Sequence, residues 1–142
     1  MLPIRKNSKR NFSLYLLFVI FSAVTLSLSS ADLGSSPWYG SATGDCGIWV
    51  EVEVTLDGTE LTVMAAGGPG SKCTWDKLVV TVSMRNASTG LWEYLDGFNG
   101  PATQWDDSFS VDGYDAFKVV VEGYDTEGTE PHHVSTTVQD SF

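Results

Sequence analysis

Between Ile48 and Leu56 the chain alternates without a break. Ile48, Val50, Val52, Val54 and Leu56 fall on one side of an extended backbone, and Trp49, Glu51, Glu53 and Thr55 fall on the other. A period of two marks a strand with one face buried. Asp57-Gly58 follows, a dipeptide suited to a tight hairpin, and Leu61, Val63 and Ala65 resume the alternation. Only two registers keep apolar side chains opposite one another: Val54 faces Leu61, or Val54 faces Val63. A slip of one residue between them would set valines against threonines and invert every face. The two registers bring Cys46 opposite Pro69 or Ser71.

The same reading continues along the chain. A short strand is expected around Trp38 and Tyr39, after a Gly-, Ser- and Thr-rich tether. Gly67-Gly68-Pro69-Gly70 breaks the hairpin. Lys77 to Arg85 forms the next strand, with Leu78, Val80, Val82 and Met84 on its buried face. Asn86 to Gly90 is a turn, and Leu91 to Leu95 pairs back. Asp96 to Ser108 contains Gly97, Gly100 and Pro101 and reads as a long loop. Phe109 to Val111 is short and strand-like, and Asp112-Gly113 is a turn. Phe117, Val119 and Val121 mark a strong strand, Asp125 to His133 a polar loop, and Val134, Thr136 and Val138 the last strand.

About seven short strands with frequent turns and no helical periodicity predict an all-β fold. The expected architecture is an antiparallel β-sandwich of immunoglobulin-like or fibronectin type. The Cys-Trp-Cys framework of immunoglobulin domains is missing, because Cys46 and Cys73 lie across a single hairpin. Asp112-Gly113-Tyr114 before the Phe117 strand only loosely resembles a tyrosine corner.

The first residues change the picture of compartment. Arg5, Lys6, Lys9 and Arg10 precede an apolar run from Phe12 to Leu28, and Ser29-Ser30-Ala31 supplies small residues for cleavage. Residues 1–31 therefore read as a signal peptide, with retention as an uncleaved anchor the alternative. Residues 32–142 form the expected single sandwich domain. All 18 acidic residues lie at or after Asp32, whereas four of the eight basic residues precede it. A field of that sign repels nucleic acid and anionic lipid, so neither is expected as a partner. Two cysteines in an exported chain read as one disulfide, Cys46–Cys73.

Candidate chemistry is sparse. His132-His133 with Glu130 could in principle ligate a metal, but adjacent side chains on an extended segment point apart. Asp106, Asp107, Asp112 and Asp115 supply hard oxygens without the spacing of a calcium loop. No metal, no cofactor and no catalytic residue are expected, and some pair among 18 carboxylates will always look suited to acid–base work. Asn86-Ala87-Ser88 is a glycosylation sequon in a predicted turn.

The aromatic residues say more. Trp38, Trp49, Trp75, Trp92 and Trp105 are more than a small sandwich needs as core plugs, and exposing their area costs about 25 cal/mol per Å². The expected recognition set is Trp92, Tyr94, Phe98, Gln104 and Trp105. The function these features suggest is a non-catalytic secreted or cell-surface module for binding, adhesion or structural assembly, with an extracellular protein or glycan as partner. The alternatives are a carbohydrate-binding module that uses Trp92, Tyr94 and Trp105, and a secreted enzyme inhibitor.

Overall fold

A computed structural model describes residues 36–126 and 131–142. The signal segment, its anchor alternative and Glu130 lie outside the described residues. Eight strands are present, one more than the pattern suggested: β1 (Trp38–Thr43), β2 (Trp49–Asp57), β3 (Glu60–Gly68), β4 (Lys77–Asn86), β5 (Trp92–Gly100), β6 (Gln104–Ser110), β7 (Tyr114–Asp125) and β8 (His132–Ser141). They form two antiparallel sheets of four, ordered β1-β2-β3-β6 and β5-β4-β7-β8. No helix occurs among the described residues.

Of the two permitted hairpin registers, the one with Val54 opposite Val63 is realised, closed by Asp57 opposite Glu60. Gly58 takes a positive φ of 60° there, a conformation that a side chain would strain. The inward valines of β2 and β3 meet Leu78, Val80, Val82 and Met84 of β4 and Phe117, Val119 and Val121 of β7 to form the core. Full burial of each such side chain contributes about 1.5–3 kcal/mol.

Cys46 and Cys73 are disulfide-bonded across the loop between β3 and β4. Closing a loop of this length stabilises the fold by about 3.5 kcal/mol in the chain-entropy model. The rest of that loop is tied down by Asp125, whose carboxylate accepts from the Thr74 backbone N–H at 3.1 Å and the Thr74 hydroxyl at 2.7 Å. Trp75 then drops between the sheets. Its ring fills the space above Gly67 and Gly123, where a Cβ would stand within 3 Å of it, and its Nε1 donates to the Ala102 carbonyl. At one lateral edge β1 lies against β8, and Trp38 Nε1 donates to Asp140 at 2.8 Å. Trp38 also packs edge-on against Phe117, which stacks with Phe142.

The loop expected over Asp96 to Ser108 is corrected by the structure. β5 continues through it to Gly100, paired with β4 from Val82 to Leu78, and β6 begins at Gln104 on the edge of β3. The glycines that suggested a loop serve a sheet. A Cβ on Gly97 would meet the Val80 carbonyl oxygen at 2.2 Å, so only glycine permits that approach. A register shift at Val82/Ser83 accommodates Leu95, which packs against the core.

Candidate binding face

The five expected recognition residues do not form one surface. Phe98 and Trp105 pack against the core, Phe98 opposite Val80 and Trp105 opposite Ala65. Gln104 faces outward beside Ala66, on the other sheet. Trp92 and Tyr94 remain together on the outer face of the β5-β4-β7-β8 sheet, 41 % and 66 % exposed. Leu91, 66 % exposed at the hairpin tip, adjoins them.

The backbone builds this face in rows. Trp92 pairs with Arg85, and Tyr94 pairs with Ser83, which pairs in turn with Lys118 of β7. In the next row Gly97 pairs with Thr81 and Thr81 with Val120. Since successive residues of a strand point to opposite sides, the inward set Leu78, Val80, Val82 and Met84 obliges Thr81, Ser83 and Arg85 to face out. Tyr94 leans along its own strand over Gly97, where a Cβ would lie 3.1 Å from its hydroxyl. The Arg85 guanidinium lies 6.0 Å from the Trp92 ring centroid and is held by Asp115, to which its Nε donates at 2.7 Å. Asp115 also raises the Arg85 pKa, through that hydrogen bond and its charge. Between Trp92 and β7 lies an open depression of about 320 Å³ lined by Thr81, Ser83, Trp92, Lys118 and Val120.

The hairpin that carries Trp92 is braced from below. Asn86 Oδ1 accepts from the backbone N–H groups of Ser88 and Thr89, and its Nδ2 donates to Glu93 at 2.9 Å. Glu93 also accepts from the Tyr114 hydroxyl, whose pKa is raised by burial and then by that carboxylate. The sequon asparagine is therefore a structural member of the turn, its amide engaged by a neighbouring carboxylate.

At the far end of the same face, Glu122 accepts from Tyr124 and bonds His133 at 3.0 Å, and His133 stacks on Tyr124 at 4.6 Å. Lys77 stands over the Tyr124 ring at 5.0 Å. Burial first, and Glu122 second, raise the Tyr124 pKa. Among the described residues, no three His, Cys, Asp or Glu side chains come together as a metal site. Asp106, Asp107, Asp112 and Asp115 are spread over β6, a turn and β7.

The outer face of the other sheet is different. Trp49 lies across Gly68, and Glu51, Glu53 and Asp106 all have raised pKa values through burial, Asp106 also through its neighbour Asp107. Glu53 is 1 % exposed and its pKa is pushed up to about 7, with Tyr39 as hydrogen-bond partner and Oε2 left unpartnered.

Of the expected recognition residues, Trp92 and Tyr94 are the two that share this face, and their neighbours Arg85, Thr81, Ser83 and Lys118 lie outside the expected set. Alternation puts Thr81, Ser83 and Arg85 at outward positions of the Lys77 strand and Lys118 at an outward position of the Phe117 strand, but it carries no signal that sets them beside Trp92. Comparison with protein-family models, with curated proteins and with solved structures returned no match.

Proposed function

We propose that the protein is a non-catalytic, secreted or cell-surface sandwich module that binds its partner through the outer face of the β5-β4-β7-β8 sheet. The observation that carries this reading is the pair Trp92 and Tyr94, large aromatic side chains held in the open beside a depression. A rigid aromatic with one wet edge suits either a sugar ring or a protein hot spot. Hydroxyl groups and a lysine around the depression favour the carbohydrate-binding reading, since they offer donors to ring hydroxyls. Two strand carboxylates near this face are engaged by neighbouring side chains, Asp115 by Arg85 and Glu122 by Tyr124 and His133. The disulfide suits an oxidising, extracellular compartment. The connectivity supports a fibronectin-type arrangement: β2, β3 and β6 oppose β5, β4, β7 and β8, and β1 is added on the free edge of β2.

Cosedimentation with surface and matrix material of the producing cells tests the face. The double variant Trp92→Ala/Tyr94→Ala should bind at least tenfold more weakly than the parent, a loss of about 1.4 kcal/mol or more, at an unchanged melting temperature. Equal sedimentation of parent and variant would place recognition elsewhere.

A further inference from the structure

The basic residues of this acidic chain are not scattered. Among the described residues they are Lys72, Lys77, Arg85 and Lys118. Lys72 lies in the loop beside the disulfide. The other three all sit at outward positions of β4 and β7, on the face that carries Trp92 and Tyr94. Strands β1, β2, β3 and β6 contain no lysine, arginine or histidine, and their sheet displays Glu51 and Asp106 instead. The cations of the strands are therefore confined to one outer face, where Asp115 and Glu122 stand among them, and are absent from the strands of the other sheet.

The three cations are also in different states. Arg85 is paired with Asp115 and serves Trp92. Lys77 stands over Tyr124. Lys118 is exposed on the wall of the depression, opposite Ser83 in the ladder, and no carboxylate among the described residues pairs with it. An uncompensated ammonium, an indole face and two hydroxyls thus converge on one open cavity of about 320 Å³. That volume accommodates about one sugar ring, at the small end of ligand-sized clefts.

Resting on the reading of this face as the binding surface, we infer that its ligand is an anionic glycan. A sugar unit bearing a carboxylate or sulfate would stack on Trp92, give its charge to Lys118 and its hydroxyls to Thr81 and Ser83. The assignment commits to a glycan rather than an acidic protein segment because the Trp92 ring offers a flat apolar face for a sugar, with the Thr81 and Ser83 hydroxyls and the Lys118 ammonium beside it as hydrogen-bonding groups. Val120 completes the lining. The whole-molecule charge strengthens the test. A chain with this excess of acid is repelled by polyanions at long range, so retention on one cannot come from general ion exchange. At physiological salt the repulsion is screened beyond about 8 Å, leaving the local contacts to decide.

The experiment is affinity electrophoresis and titration of the purified protein at 0.15 M salt (about 8 Å screening) against polygalacturonate, dextran sulfate and unmodified dextran. The parent should be retarded by at least one of the two polyanions and not by dextran, and the arm that responds tells carboxylate from sulfate. Lys118→Ala should weaken that binding about tenfold and Lys118→Arg should restore most of it, with melting temperatures unchanged. Retardation by dextran equal to that by the polyanions, or full binding by Lys118→Glu, would overturn the anionic assignment. If Trp92→Ala nevertheless abolished dextran binding, the face itself would stand. Binding to none of the three glycans would overturn the inference, and a loss of cosedimentation by the Trp92/Tyr94 variant would then direct the search to an acidic protein on the same face.

Discussion

Glu53 shows how a single residue can be placed against its own chemistry. It occupies an outward position of β2, where alternation predicts a solvated carboxylate, yet it is buried beside Tyr39 of β1, with Glu51 two residues away on the same face and Met64 opposite on β3. Burial raises its pKa from the ordinary 4.5 to about 7, and the Tyr39 hydrogen bond opposes this only in part. Below pH 4.5 the carboxyl is protonated in both the folded and unfolded chain and contributes no pH dependence. As pH rises from about 4.5 to about 7 the unfolded chain releases the proton first, so folding stability falls across this window. It falls by an amount on the order of 3 kcal/mol and then levels off. The raised pKa of Glu51 acts in the same direction. Glu53→Gln should therefore melt several degrees above the parent at pH 8 and close to it at pH 4, as read by thermal unfolding at both pH values. Identical melting of parent and variant at pH 8 would mean that Glu53 ionises without cost.

Tryptophan placement is decided by the elements. Trp38, Trp75 and Trp105 each close a different opening between the sheets: the β1–β8 edge, the end under the disulfide loop, and the β6 edge. Trp105 reaches its position because β6 pairs with β3 in a register that sets it opposite the inward Ala65. Its ring lies 6.5 Å from that of Phe109, which points the same way two rungs along. Trp105→Ala should therefore cost about 3 kcal/mol of folding stability in urea denaturation. It should leave binding at the Trp92 face within a factor of about two, well under the tenfold that 1.4 kcal/mol represents. The opposite result, intact stability with lost binding, would transfer recognition to β6.

At the scale of the whole molecule, acid is spread over both sheets and base is not. Among the described residues the strands of each sheet carry six carboxylates, whereas Lys77, Arg85 and Lys118 all stand on the β5-β4-β7-β8 sheet. Such an excess of one sign destabilises the compact state through self-repulsion, and added salt should relieve it. The aspartates of β6 and β7 do not converge, so divalent ions should act only as screening ions. Calcium and magnesium at equal millimolar concentration should raise the melting temperature equally. A specific calcium site would add about 2.7 kcal/mol at a hundredfold excess over Kd, and a shift produced by calcium alone would reveal one.

By itself the sequence determined the class of fold, the β2–β3 hairpin and its permitted registers, the inward faces of β4 and β7, and the cysteine pair. Each of these follows from local alternation or from turn chemistry within a few residues. Tertiary structure alone decided the rest. Gly97 and Gly100 look like loop residues until β4 supplies the ladder that needs them, and Trp105 looks exposed until β3 turns it inward. Alternation reports that Thr81, Ser83, Arg85 and Lys118 face away from the core. It cannot report that two strands distant in sequence set them beside Trp92, because adjacency across a sheet depends on pairing order and register. The burial of Glu53 was illegible for the same reason. A strand pattern divides a chain into two faces, and only the packing of other elements over a face determines which of its residues keep their water.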